Sequence, residues 1–448
     1  MLLALEEVEY YLVDYGQWGT DWDKINLART YDLVVMHPNR PGISADIVQT
    51  IKQGVDPDDP ADDVIVLGYI SVGEDLRTVA VSDSNMKSDS RFSGNQLGPR
   101  IDPRGWAPPS FVMRSLAGID PMGSPSTGGL GYWSFYVDDN DVYNSANHVG
   151  NGIPDRNPIF GGSFVNAGDP NWFDVLQQMS LNGPDQLAGL QEIMTTSFGK
   201  GLGCDGIFMD TIDTCAPNYY TDESSPNESK FEWTAPGFTE FIAHVHATYP
   251  DKLLLQNRGV FFFDPRKEQY KYNARSIISL NMFESFYLDS NPTHLDDPYF
   301  YPDNRYNVAP KLFAEANRAD GFVALSLDYA EGPPGEMSYG ALFGQSTVGL
   351  AVLQDDVHMC MNDIGFKHYI TNGAVNMHNS FVRNTFNGND QTPPQWTSTY
   401  NANVNDYPTP SGPPAVRVGI QAAVVAGPGT ITVSWDSVFD LNKPYYRM

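Results

Sequence analysis

The run at residues 206–210, GIFMD, constrains the fold of this chain more than any other feature. It begins at glycine, is too short for a helix and stops at a carboxylate, which is typical of a buried parallel strand that ends at the edge of a sheet. Side chains alternate along a strand, so Gly206, Phe208 and Asp210 share one face. Asp210 is therefore the first candidate for chemistry. The alternative is that it only caps the turn that follows.

Short apolar runs of this kind recur along the chain and alternate with helix-like or irregular segments. The eight runs are residues 10–15, 32–37, 64–74, 132–138, 206–210, 253–257, 277–284 and 322–328. Such alternation predicts repeated strand–helix units around a parallel sheet, and eight units close into a barrel. We therefore predict an α/β fold, a (β/α)8 TIM barrel with long loop insertions, over residues 1–384.

Each predicted strand ends in a polar residue on the face that we assign to the barrel interior. These residues are Asp14, His37, Glu74, Asp138, Asp210, Asn257, Glu284 and Asp328. Active sites of TIM barrels lie at the carboxyl-terminal ends of the strands, so this ring predicts a polar ligand there. One β-bulge would reverse the assignment in its strand.

The composition narrows the classes of partner. The chain has 27 Lys and Arg against 55 Asp and Glu, a net charge of −28, which repels phosphate backbones and excludes nucleic acid. It contains no apolar run of about 18 residues, so we expect no membrane partner.

The three cysteines are too few for a disulfide framework or a cysteine zinc site. The first residues lack the features of a signal peptide, and we expect a secreted or cell-envelope protein whose leader is not in this chain.

Several motifs together resemble the endo-α-1,4-polygalactosaminidase family of glycoside hydrolases and the related spherulin-like glycosidases. They are residues 69–74 (YISVGE), 169–172 (DPNW), 203–213 (GCDGIFMDTID), Glu284 and 328–330 (DYA). The resemblance spans residues 10–380 and implies a (β/α)8 barrel that cleaves galactosamine-containing polysaccharide. It also implies catalytic acids after the fifth and seventh strands, where Asp210 and Glu284 stand. Residues 139–168 and 216–233 are longer than in the family, which leaves the substrate open.

The proposed chemistry agrees with the residue types. Glycoside hydrolysis needs one protonated carboxyl group and one carboxylate that acts as nucleophile or base. Glu284 has apolar neighbours, which raise a carboxyl pKa and suit a proton donor. Asp210 then suits the ionised partner, although the residues alone leave the two roles open. We expect no metal and no cofactor.

Substrate binding is predicted at ten further positions. They are Asp14, Tyr15, Trp18, His37, Glu74, Asp138, Asp213, Asn257, Asp328 and Tyr329. Tyr15 and Trp18 have aromatic faces that either stack on sugar rings or plug the barrel end. A lone strand-end histidine such as His37 is more often structural than basic. Arg258 is expected to be a buried ion-pair partner of a neighbouring carboxylate, and direct contact with substrate is the alternative.

Two regions carry separate expectations. Residues 138–155 are rich in Asp and Asn, which either ligate calcium or form Asx turns. Residues 385–415 are rich in Asn, Pro and Thr and read as a linker. Residues 416–448 predict β structure that resembles part of a fibronectin type III domain. That segment is either a fragment of such a domain or packs elsewhere.

The sequence therefore predicts a glycoside hydrolase that acts on a partly deacetylated, cationic hexosamine polymer. One alternative is a carbohydrate-binding barrel without catalysis, which the presence of both Asp210 and Glu284 disfavours. The other is a metal-dependent hydrolase, for which more than one strand-end histidine would be expected. The oligomeric state stays open.

Overall fold

The structure is a computed structural model. It describes residues 5, 7–19, 21–93, 132–137, 153–157, 160–216, 231, 234–263, 274–288, 304–331, 347–376 and 378–387. Asp138, most of the predicted calcium loop, the linker from residue 388 onward and the whole of residues 416–448 lie outside these ranges.

Eight parallel strands form the centre of the molecule. They are β1 Tyr11–Asp14, β2 Leu33–Met36, β3 Ile65–Ser71, β6 Gly206–Asp210, β7 Leu253–Asn257, β8 Leu280–Glu284, β9 Val323–Glu331 and β10 Lys367–Asn372. They are hydrogen-bonded in that order, and every neighbouring pair is parallel. The first and last strands contact each other, and the rings of Tyr11 and Tyr369 lie 5.9 Å apart across this seam. The predicted (β/α)8 barrel is confirmed.

One predicted strand is wrong. Residues 132–137 do not join the barrel but form isolated antiparallel bridges, from Tyr132 to Ser93 and from Tyr136 to Val165. They belong to the insertion between β3 and β6, which also holds the antiparallel pair β4 Glu74–Asp75 and β5 Ser163–Phe164. The eighth barrel strand is β10, which the sequence analysis missed. Consequently Asp210 ends the fourth barrel strand and Glu284 the sixth, rather than the fifth and seventh.

Helices cover the outer face of the barrel. In the described chain they are α1 Trp22–Ala28, α2 Ala45–Lys52, α3 Asp83–Ser88, α4 Pro170–Gln178, α5 Leu190–Met194, α6 Ala235–Thr248, α7 Ala309–Ala316, α8 Thr347–His358 and α9 Phe381–Phe386. Several begin at a side-chain cap: Ser44 accepts a hydrogen bond from the Ile47 amide at 3.3 Å, and Asp169 precedes Pro170 and accepts from the Asn171 amide at 2.9 Å.

The parts of the chain that the structure describes contain no helix long and apolar enough to cross a membrane.

The strand register decides which side chains face the barrel interior. Tyr69 pairs with Phe208, and Ser71 pairs with Asp210. The side chains of all four residues lie on the inner face of the barrel. Gly68 faces outward, toward α5: a Cβ at this position would lie 2.5 Å from the Ile193 side chain of that helix.

The same register corrects two predicted positions. Asp14 aligns with Met36, which aligns with Gly68, so Asp14 faces outward. Glu284 aligns with Leu327, so the inner face of β9 carries Leu327 and Tyr329 while Asp328 faces outward. The prediction that Asp14 and Asp328 point into the barrel is wrong.

Candidate active site

Three adjacent strands deliver the centre of the site. Asp210, Asn257 and Glu284 are the last residues of β6, β7 and β8. The Asn257 side-chain nitrogen donates to Asp210 Oδ1 at 2.8 Å and to Glu284 Oε2 at 2.7 Å. Because both acceptors contact one nitrogen, these two oxygens are at most about 5.5 Å apart, which is closer than the roughly 6.5–9.5 Å that separates the carboxyl groups of inverting glycosidases. The amide thus holds the two predicted catalytic groups at a defined separation.

Glu284 is held from both of its oxygens. The Tyr329 hydroxyl donates to Oε1 while Asn257 donates to Oε2. Burial raises the pKa of Glu284, the positive charge of Arg258 opposes this rise, and the Asp210 carboxylate adds to it. The balance keeps a proton on Glu284 to a higher pH than on an ordinary glutamate, as a proton donor requires.

Asp210 is fixed through its own backbone and its neighbours. Thr211 donates its hydroxyl to the Asp210 carbonyl at 2.6 Å and accepts from the Gly73 amide at 2.7 Å. A Cβ at Gly73 would lie 2.1 Å from the Thr211 carbonyl oxygen, so only glycine permits this approach. Burial, followed by the charge and hydrogen bonding of Asp210, raises the pKa of Tyr69 well above its ordinary value.

Glu74 is a third acid beside this pair. It is 3% exposed, Asn157 donates to its Oε1 at 2.5 Å, and its Oε2 has no hydrogen-bond partner. Burial raises the pKa of Glu74 to about 7, the Asn157 bond opposes the rise, and the charge of Asp210 adds to it. Glu74 therefore keeps its proton up to about pH 7.

An aromatic layer lies beneath the carboxylates. The rings of His37 and Tyr69 stack at 4.4 Å, and Tyr15 packs edge-on against Tyr69 at 5.0 Å. Phe208 closes the layer at 6.0 Å from Tyr69. Burial lowers the pKa of His37 to about 3, so its ring is neutral, in agreement with a structural role.

Trp18 lies away from any open surface. It is 1% exposed and packs edge-on against His378 at 4.8 Å. The indole is therefore buried and offers no face to a sugar in this structure.

Asp213 pairs with Arg258 at the same end of the barrel. The guanidinium Nη1 lies 3.4 Å from Asp213 Oδ2, and both side chains are partly exposed. The expected pairing of Arg258 with a neighbouring carboxylate is confirmed, but the pair is partly exposed instead of buried. The pair borders Glu284, whose pKa responds to the Arg258 charge.

The two outward-facing acids have other contacts. Asp14 Oδ2 lies 3.5 Å from Lys24 Nζ of α1 and also contacts His378. Asp328 accepts from the backbone amides of Phe286 and Tyr287 at 2.6 and 3.1 Å. Both acids support loops behind the site instead of lining it.

The sequence analysis missed two residues of the site, Tyr69 and Asn157. Tyr69 lies two residues before Ser71 on the inner face of β3, so strand alternation contained the signal for it. Asn157 lies in the long insertion between β3 and β6, and no pattern in the sequence indicates that it contacts Glu74.

Known proteins resemble the chain only in their structures. No protein-family model and no curated protein sequence matches it. Three of the similar solved structures are the glycoside hydrolase domain of PelA from Pseudomonas aeruginosa, an α-amylase from Geobacillus thermoleovorans complexed with acarbose, and an old yellow enzyme homologue from Zymomonas mobilis.

The PelA domain is 15% identical with a TM-score of 0.42, and the match covers 83% of this chain and 97% of that one. The amylase is 10% identical at 0.34, over 83% and 71% of the two chains. The old yellow enzyme homologue is 10% identical at 0.26, over 85% and 82%. These TM-scores are too low to support an argument about activity. The barrel fold is established by the strand order of this chain itself.

Proposed function

We propose that this chain is a glycoside hydrolase whose catalytic pair is Asp210 and Glu284. The observation that carries the proposal is the Asn257 amide, which donates to both carboxylates at the carboxyl-terminal end of the barrel. Two acids that flank a shared donor at this distance leave room for one glycosidic bond between them.

The environments of the two carboxyls support a division of roles. Glu284 has a raised pKa and serves as the general acid, which protonates the leaving oxygen. Asp210 serves as the nucleophile, which attacks the anomeric carbon and forms a glycosyl–enzyme ester. Glu284 then takes a proton from water, and the resulting hydroxide displaces Asp210. The second step returns to Glu284 the proton that it donated in the first step. The product keeps the anomeric configuration of the substrate.

For the substrate, we propose a galactosamine-containing polysaccharide that is partly deacetylated and therefore cationic. The sequence motifs support this class, and the net charge of −28 attracts a polycation. A polymer of this kind would be met outside the cell, in agreement with the expected secretion.

The test is to measure turnover and affinity on a partly deacetylated α-1,4-galactosaminan for Asp210→Asn and Glu284→Gln. Both changes keep shape, so affinity should persist while turnover falls by at least about 10²-fold. Asp205→Asn is the matched control, because Asp205 lies before β6 at the opposite end of the barrel, where it pairs with Lys52 at 2.7 Å. Near-normal turnover in either site variant would contradict the proposal. Binding without turnover in the unmodified chain would favour the carbohydrate-binding alternative.

A further inference from the structure

Four metal-ligating side chains meet on the outer side of the barrel. They are Asp328 of β9, Asp356 of α8, Cys360 in the π-helix Met359–Ile364 that follows α8, and His368 of β10. Their candidate ligand atoms all lie within 4.8 Å of one another, and each residue is at most 1% exposed. The group lies between the sheet and α8, away from the Asp210 and Glu284 carboxylates that face the barrel interior.

Hydrogen bonds satisfy this cluster only in part. His368 Nε2 and Asp356 Oδ2 are 3.3 Å apart, and both are buried without a hydrogen-bond partner. His368 Nδ1 lies 2.8 Å from the Ser326 hydroxyl oxygen, which can donate or accept, and 3.2 Å from the Ser326 carbonyl oxygen, which can only accept. With the ring proton on Nδ1, both Ser326 oxygens serve as acceptors, and the lone pair of Nε2 points toward a carboxylate oxygen. Two acceptors that face each other in a dry site require a proton or a metal cation between them.

We propose that Asp328, Asp356, Cys360 and His368 bind one structural zinc ion. Thiolate, imidazole and carboxylate together are the donors that zinc takes in closed four-coordinate sites. Histidine ligands of zinc characteristically donate the second imidazole N–H to a nearby acceptor, and His368 Nδ1 lies within hydrogen-bond distance of both Ser326 oxygens.

Three contacts within the cluster have spacings close to those in a tetrahedral zinc site. Ordinary zinc–ligand distances place nitrogen and oxygen ligands about 3.4 Å apart and sulfur and oxygen ligands about 3.6 Å apart. His368 Nε2 lies 3.3 Å from Asp356 Oδ2, and Cys360 Sγ lies 3.3 Å from Asp356 Oδ1 and 3.9 Å from Asp328 Oδ2. The ion would also offset the charges of two buried carboxylates and a thiolate.

Zinc at this position would stabilise, from the outer side of the barrel, the segments that position Glu284. Asp328 accepts from the amides of Phe286 and Tyr287, which follow Glu284 in the chain. Tyr329, the next residue after Asp328, donates to Glu284 itself. The proposed ion thereby ties α8 and β10 to the two segments that position the acid.

The experiment is metal analysis of the full chain expressed in zinc-supplemented medium, followed by replacement with Co²⁺. We expect about one zinc per chain and a thiolate-to-cobalt charge-transfer absorption. We also expect a melting temperature that falls on chelation and recovers when zinc is added. Cys360→Ser should lose the charge-transfer band and the stoichiometric zinc.

The matched control is Cys204→Ser, since Cys204 is also a buried free thiol but lies outside the cluster. It should keep the zinc and the band. If Cys360→Ser does not fold, the zinc content and cobalt spectrum of the unmodified chain decide alone. If the unmodified chain contains no zinc and its cobalt-treated form shows no charge-transfer band, the proposal is overturned. The cluster would then hold a shared proton instead of a metal ion. Zinc that persists in folded Cys360→Ser would also overturn it.

Discussion

Replacing Asn257 with leucine tests the geometry of the site most sharply. Leucine fills a similar volume but removes the nitrogen that donates to Asp210 at 2.8 Å and to Glu284 at 2.7 Å. The two carboxyls then lose their common donor and repel each other without an intermediary. We expect Asn257→Leu to fold and to lose most of its activity.

The magnitude follows from the two bonds. Hydrogen bonds to charged groups contribute about 1.5–3 kcal/mol each, so the loss of both corresponds to about 10²- to 10⁴-fold in kcat/KM. The Asn257 bond also lowers the pKa of Glu284. Its removal raises that pKa, and because Glu284 acts in its protonated form, the alkaline limb of the pH–rate profile should move to higher pH.

The assay is kcat/KM across pH on a partly deacetylated galactosaminan, with folding checked by circular dichroism. Asn317→Leu is the control, because Asn317 only bonds the Phe313 carbonyl at the exposed end of α7. A kcat/KM for Asn257→Leu within about threefold of the unmodified chain, less than 1 kcal/mol in barrier, would refute the reasoning.

Three further predictions concern the surroundings of the pair. Tyr329→Phe removes a donor that lowers the pKa of Glu284, so the alkaline limb of kcat/KM should also shift upward; an unchanged limb would contradict the contact. Glu74 has a folded pKa of about 7 against an ordinary 4.5, so the stability that it contributes is present at low pH and lost as pH rises through 7. Urea unfolding at pH 5 and 8 should therefore show a difference smaller by about 2.5 kcal/mol in Glu74→Gln, and an equal difference in both proteins would be evidence against the raised pKa. Finally, kcat/KM on a cationic oligosaccharide should fall with ionic strength, whereas a constant value would remove the electrostatic part of the substrate proposal.

The central residues were predictable because of where strands end. Asp210, Asn257 and Glu284 each close a short apolar run, and adjacent parallel strands bring such ends together at one edge. Their common hydrogen bond was not predictable, since it depends on side-chain conformations and on the twist between strands.

The errors have equally local causes. The eighth barrel strand, Lys367–Asn372, reads KHYITN and lacks a continuous apolar run, while residues 132–137 are rich in aromatic residues and form part of an insertion instead. The predicted inward orientation of Asp14 and Asp328 was wrong because the register with the neighbouring strands decides which residues of a strand face the barrel interior. Counting from the end of an apolar run does not supply that register.

The cluster behind the barrel was beyond sequence reasoning altogether. Asp328, Asp356, Cys360 and His368 belong to two strands, one α-helix and the π-helix that follows it, with no spacing that marks a metal site. Only the packing of α8 against β9 and β10 makes them neighbours.

The most direct test of the central claim is the anomeric configuration of the first product, followed by ¹H NMR during hydrolysis of an α-1,4-galactosaminan. The Asn257 bridge keeps the two carboxylate oxygens within about 5.5 Å, which predicts a double displacement. The account predicts that the α-anomer forms first and then mutarotates. An initial β-anomer would show that water attacks directly and would contradict the role of Asp210 as nucleophile.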